Sequence, residues 1–265
     1  MRPKTFQIGG IFMCRFPFAL VASLLGLTLV LPPVDTVAAA ELQALGGGGI
    51  AAPVKELVAQ FEKTSGHRIA FRLGTTPELI KLATTGPFDL GVVPREVFAD
   101  PAAQARFAPG PAINIARVGL GVAVRSGSPR PDISTPEALK QTLLKAKSIA
   151  TLPESAAGAQ VLRAFERLGI SNEMKAKTKA QKGPAQVVEA VAQGEAELGV
   201  FLVNVLTAPG LDVVGSFPKE VQQEIIFAAA LAANTKEVDA AKAFIAYLQT
   251  PAATAIIKAK GMTPG

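Results

Sequence analysis

Four short loops of small residues hold most of the chemistry this sequence can offer. They are Gly46–Gly49, Gly74-Thr75-Thr76, Ser155–Gly158 and Gly183-Pro184. Each stands directly before a stretch with helical periodicity. A helix start presents backbone N–H groups that have no intrahelical acceptor, and the aligned peptide dipoles add a partial positive charge there. An anion fits such a place without a formal counter-charge. Glycine lets the backbone approach a ligand closely, and threonine hydroxyls add donors that can turn toward an oxygen. Small strand-to-helix turns also arise for packing alone, so no single loop decides the matter. Four of them in one chain point to a site for a small anion.

Other chemistries are poorly supplied. His67 is the only histidine. It lies between Gly66 and Arg68 in a turn before a strand and is expected to be a solvated loop residue, not the base of a Ser-His-Asp site. No Gly-x-Ser-x-Gly elbow occurs. The acids Glu78, Asp89 and Glu154 are scattered, and their spacing singles out no acid/base pair. Cys14 is the only cysteine, so beyond it no disulfide, thiol or His/Cys metal site is expected. The phosphate-binding pattern Gly-x-x-x-x-Gly-Lys-Ser/Thr is missing. One motif competes with the anion reading. Gly46-x-Gly48-x-x-Ala51 matches a dinucleotide-binding pattern after a strand, with Arg72 ending the next strand. The strand preceding the glycines is short, however, the signal lacks a twin Arg, and an exported chain would need its nucleotide loaded before export.

Export is indicated by the first 40 residues. Arg2, Lys4 and Arg15 give a basic start, Phe16 to Leu31 is an uncharged apolar run, and Val37-Ala38-Ala39-Ala40 offers a small-residue cleavage pattern near Ala40. The run is short for a spanning helix, which needs about 20 residues; an uncleaved anchor is the alternative. Cys14 precedes the apolar run, whereas a lipid-anchor cysteine would follow it. Removing residues 1–40 takes three bases from 27 and one acid from 21, leaving 24 and 20, a net charge of +4. That balance is mildly basic and dispersed, without the Lys/Arg stripe of a nucleic-acid binder. It favours anionic solutes. Trp is absent and Tyr occurs once, which argues against stacking surfaces for sugars or single strands.

The elements that must position the loops alternate between strand and helix. Strands are expected at 41–45, 69–73 and 88–93. A helix carries Val54, Leu57, Val58 and Phe61 on one face, and a second opens at Thr75 or Thr76 with Pro77 in its first turn. This order indicates a parallel sheet with covering helices. A long strand-like run spans 113–124. A helix at 136–147, a strand at 148–152, helices around Val161–Leu168 and Val187–Val191, and a strand at 197–201 follow. Residues 213–214 and 225–231 look extended, and two helices close the chain. The runs near 119 and 227 read as two passes between lobes, giving one lobe of 41–117 plus 228–265 and another of 118–227. A single doubly wound sheet is the alternative.

Several segments carry a resemblance: Gly46–Phe61, Gly74-Thr75-Thr76 with Phe88-Asp89-Leu90, Asp132–Leu139, Pro153–Gly169, Val187–Gly199 and Ala243–Leu248. Across residues 41–265 the sequence resembles the molybdate-binding periplasmic proteins and their wider type II periplasmic-binding-protein relatives. The resemblance implies an α/β fold of two parallel-sheet lobes joined by two crossing segments, closing on a ligand between them. It places Gly49 where the family usually has a Ser, Thr76 at a second Ser with Thr75 beside it, and the Ala157 N–H in the Ala156-Ala157-Gly158 loop. A further donor falls near Pro184, which has no N–H, so Ala185 would serve. Leu202 stands where a Tyr is usual, with Asn204 close by as a substitute. The ligand contacts expected on this basis are Gly49, Thr75, Thr76, Ala157 and Gly158, with no catalytic residue, cofactor or metal. The implied function is that of a periplasmic, monomeric capture subunit of an ABC importer for a small anion of the molybdate or tungstate kind. Its partners would be that anion and a membrane permease, with no nucleic acid. Gly49 and Leu202 leave apolar room for an organic anion, the first alternative; an exported enzyme on this fold is the second.

Overall fold

The computed structural model describes residues 39–265. The expected export signal and Cys14 lie outside the described residues. Among those described, no helix is long and apolar enough to cross a membrane.

The chain opens with β1 (Glu41–Gly47), a 3-10 turn (Gly48–Ile50), α1 (Ala51–Ser65), β2 (Arg68–Gly74), α2 (Thr76–Thr85) and β3 (Leu90–Pro94). Two single-turn helices, α3 (Arg95–Phe98) and α4 (Pro101–Gln104), lead to the long strand β4 (Ile113–Arg125). Then come α5 (Pro136–Lys145), β5 (Ile149–Thr151), α6 (Ala156–Leu168), α7 (Ser171–Lys177), β6 (Thr178–Ala180), α8 (Pro184–Ala192), β7 (Leu198–Leu202), α9 (Val203–Leu206) and β8 (Leu211–Ser216). The chain finishes with β9 (Glu224–Leu231), α10 (Val238–Tyr247), α11 (Pro251–Ala259) and β10 (Thr263–Pro264).

Side-chain alternation along β1 shows how the first lobe is layered. Leu42 and Ala44 join the large core formed with α1, α10 and α11 through Leu57, Phe61, Phe244 and Ile257. Leu45 points the other way, into a smaller core with Leu79, Ala83, Val97 and Phe107 from α2, α3 and the segment after α4. The sheet between these layers is parallel through β2, β1 and β3. The second lobe has its own parallel set, β6, β5 and β7.

Each lobe has the expected parallel set, and antiparallel neighbours extend it. β9 runs antiparallel to β3, and the first half of β4 runs antiparallel to β9. The second half of β4 runs antiparallel to β7 and β8. The reason lies in the connections. Parallel neighbours need a crossover helix, whereas the passes between lobes are extended chain with no helix to reverse them.

β4 thus belongs to both lobes. Gly119 still pairs with Glu224 of β9, and Leu120 already pairs with Leu202 of β7. At this change of partner the Gln222 carboxamide acts like a piece of neighbouring strand. Its Oε1 accepts from the Leu120 N–H at 2.8 Å and its Nε2 donates to the Leu120 carbonyl at 2.9 Å. Glycine at 119 makes room for it, since a Cβ there would stand 2.9 Å from Nε2.

His67 differs from its expectation as a solvated residue. It is 7% exposed, its Nδ1 accepts from the Ala40 N–H at 3.1 Å, and its ring stacks on Phe61 at 6.0 Å. Gly66 ends α1 in the left-handed conformation, at φ 77°, and this tight reversal folds the next residue back against the helix.

Gln222→Ala leaves both polar groups of Leu120 without this partner. Urea denaturation is expected to report a loss of about 1–3 kcal/mol, with the change of slope that marks a looser native state absent.

Candidate functional site

The four sequence loops converge. Gly48 and Gly49, at the start of α1, and Thr75 and Thr76, at the start of α2, come from the first lobe. Ser155, Ala156 and Ala157, at the start of α6, and Pro184, at the start of α8, come from the second. Between them lies a cavity of about 30 Å³, also lined by Pro94, Leu152, Phe201, Leu202, Ile225 and Phe227. That volume is water-sized, so the cleft is drawn shut. None of these lining residues carries an ionisable side chain. Helix starts from both lobes meet at this cavity, and helix starts in general favour negative charge. A larger open hollow, about 730 Å³, surrounds the Ala108–Ala112 loop; it is lined by the first lobe alone, with the starts of the single-turn helices α3 and α4 at its edge.

Each expected contact has a definite place. Gly49 lines the cleft, and a methyl there would lie 2.5 Å from Leu202 Cδ1 and 3.0 Å from Phe227 Cζ. The glycine and the leucine therefore fit each other across the two lobes, and the space beside Gly49 is apolar. Thr75 caps α2 in a reciprocal arrangement with Glu78. Its N–H and its hydroxyl both donate to Glu78 Oε2, at 2.8 and 2.9 Å. Those donors are directed at the carboxylate, not at the cavity. Thr76 Oγ1 accepts from the Ala156 N–H across the cleft at 3.0 Å, which leaves the Thr76 hydroxyl proton to donate. Ala157 lines the cavity, and its N–H makes no hydrogen bond among the described residues.

Gly158 is placed differently. It does not line the cavity. Its N–H donates to Ser155 Oγ at 3.0 Å, the N-cap bond of α6, and Ser155 Oγ donates in turn to the Leu152 carbonyl at 2.8 Å. A Cβ at Gly158 would sit 1.8 Å from the Leu152 carbonyl oxygen. Glycine is needed here for packing of the loop on α6. Asn204, expected as a substitute ligand donor, spends its Nδ2 on the Gly49 carbonyl at 2.8 Å. Leu152, Ile225 and Phe227 escaped the sequence reading as cleft residues. They sit in strands or at a strand end, where apolar character signals core, and no local pattern marks the ones whose edges face a cleft.

Gly158→Ala is expected to cost about 3 kcal/mol of stability through overpacking, read as a lowered urea midpoint. A variant of unchanged stability would remove the packing role and return Gly158 to the ligand contact that the sequence resemblance implies.

Comparison with known proteins agrees with this geometry. Residues 42–263 match the family model described as bacterial extracellular solute-binding protein. An aconitate isomerase from a Pseudomonas species is 34% identical over 262 residues, which cover 94% of this chain and 97% of that protein. The molybdate-binding protein ModA of Azotobacter vinelandii is 28% identical over 232 residues, 84% of this chain and 90% of that one. The solved structure of the Azotobacter vinelandii periplasmic molybdate-binding protein superposes with a TM-score of 0.71 at 21% identity, covering 84% of this chain and 98% of the other. The two-lobed architecture, the cleft of converging helix starts and the match over nearly the whole described chain have one reading: the chain belongs to the bacterial extracellular solute-binding protein family.

Proposed function

We propose that this protein is exported, closes its two lobes on a small organic carboxylate and hands it to the membrane permease of an ABC importer. The observation that carries the ligand class is the fit of Leu202 against Gly49. The cleft has two kinds of surface. One offers the Ala157 N–H and the Thr76 hydroxyl proton, suited to carboxylate oxygens. The other, made of Leu152, Leu202, Ile225 and Phe227, suits a carbon skeleton. A tetrahedral oxyanion presents oxygen on every side, and each buried oxygen left without a donor costs about 1–3 kcal/mol. Molybdate, the ligand implied by the sequence resemblance, is therefore the less favoured guest. The 34% identity with a protein named for aconitate, a tricarboxylate, points the same way.

Entry needs the lobes to part, because the closed cavity is far smaller than any carboxylate. The hinge in this reading lies at Gly119–Leu120, where β4 changes partners, and in the return segment 217–223 clamped by Gln222. Ligand contacts to both lobes then shift the population toward closure.

A thermal-shift panel of trans-aconitate, citrate, succinate, molybdate, tungstate and sulfate tests the ligand class. A carboxylate at about a hundredfold excess over its Kd should raise the Tm by roughly 5 °C or more, and Thr76→Ala should abolish that rise while remaining folded. Stabilisation by molybdate or tungstate and by none of the carboxylates would sink the reading.

A second reading, favoured by the same relative, is that the cleft turns its ligand over. Isomerising an aconitate moves the double bond or its geometry, which calls for a group that removes a carbon-bound proton and returns it. Glu78 is joined to the cleft through its bonds to Thr75, which makes it the carboxylate to substitute first. Proton NMR of trans-aconitate with the protein in D2O would reveal conversion to the cis isomer with deuterium uptake, lost in Glu78→Gln. Unchanged spectra after prolonged incubation leave capture as the function.

A further inference from the structure

The Gly49 carbonyl is an acceptor that its own helix is ill equipped to satisfy. In α-helical geometry it would accept from the N–H four residues later. That residue is Pro53, which has no N–H to give. The carbonyl instead accepts from Asn204 Nδ2, at 2.8 Å. Asn204 belongs to α9, directly after β7 in the second lobe, whereas Gly49 belongs to the first. Asn204 also rests on the turn before β10: its Cα and Cβ lie 3.8 Å from where a Gly261 side chain would begin. Pro53 thus withholds the i+4 donor from a carbonyl at the cleft edge, and a side chain from the opposite lobe donates to it.

We propose that Asn204 is a closure latch, a positioning residue whose carboxamide satisfies the Gly49 carbonyl in the closed form and steadies that peptide beside the ligand. Asn204 is not among the residues that line the cavity. The same side chain limits the strength of the latch. Its Oδ1 is buried with no partner among the described residues, so closure forms one hydrogen bond and strands one oxygen. A device of that balance shifts the opening equilibrium by about tenfold and still lets the lobes part. The inference rests on the opening and closing of the lobes and is independent of what the ligand is.

Spin labels at Lys63→Cys on α1 and Lys175→Cys on α7, both exposed positions, in a Cys14→Ser background, report the distance between lobes by pulsed dipolar EPR. Spectra are recorded without ligand and with trans-aconitate. Asn204→Ala is expected to move population from the short to the long distance in at least one condition. It should also raise the trans-aconitate Kd about tenfold, mainly through faster dissociation. Pro53→Ala, which restores an in-helix N–H for Gly49, should shift the distances in the same direction, and the double variant no further than either single one. Unchanged distances in Asn204→Ala under both conditions would overturn the latch, as would additive shifts in the double variant. Failure of trans-aconitate to bind the unsubstituted protein would count against the carboxylate reading alone; the ligand-free distances then decide the latch.

Discussion

An α-helix cannot satisfy the N–H groups of its own first turn, and the arrangement of this protein follows from where those groups are put. Four helices begin at one cleft, two from each lobe. Had they begun at separate surfaces, water would solvate each start and nothing would favour a guest. Gathered around one small volume, their partial positive charges add without a cationic side chain. An arginine or lysine at the same place would carry its own desolvation cost into a closed cleft. Neutral donors avoid that cost, and they release a guest more readily than a paired ion would.

The same shortage of partners governs details around the cleft. Thr75 is held by Glu78, Gly158 by Ser155, and the Ala156 N–H reaches across to Thr76. Within each lobe these bonds fix the loops rigidly. Between lobes they are few and directional, which suits surfaces that must meet and separate. A carboxamide also serves the point where β4 changes partners. There Gln222 completes the strand pairing of Leu120, so both polar groups of that residue are met beside the glycine. One carboxamide, Gln222, serves a permanent joint and another, Asn204, a transient one.

Much of this was legible in the sequence because it depends on local chemistry. The Gly-Thr-Thr-Pro start of α2, the capping Ser155 and the glycine run before α1 announce helix starts by residue type alone. The strand–helix alternation gave the parallel portion of each sheet. What escaped depends on partners far along the chain. His67 looks like a turn residue until Phe61 and Ala40 are folded against it. Gly158 looks like a ligand loop until the Leu152 carbonyl stands in its way. Gly49 and Leu202, separated by most of the chain, read in sequence as lost hydroxyls that leave apolar room; only their contact shows the leucine filling the space beside the glycine. The short helices α3, α4 and α9 have too few residues to show a period, and tertiary packing fixes them.

The sharing of β4 between two sheets has a consequence for how this protein can diversify. Side chains along a strand alternate faces, so one residue added or removed would invert every inward position downstream of the change. In β4 such an event would leave one lobe correct and turn the other inside out. β4 already carries register shifts at Asn114/Ala116 and Val122/Ala123, so a further insertion or deletion there would need a bulge of its own to absorb it, whereas the loop tips around the cleft can accept substitutions one at a time. New specificities on this scaffold must arise by exchange of side chains at those tips, with the spacing between the two halves kept as a fixed ruler.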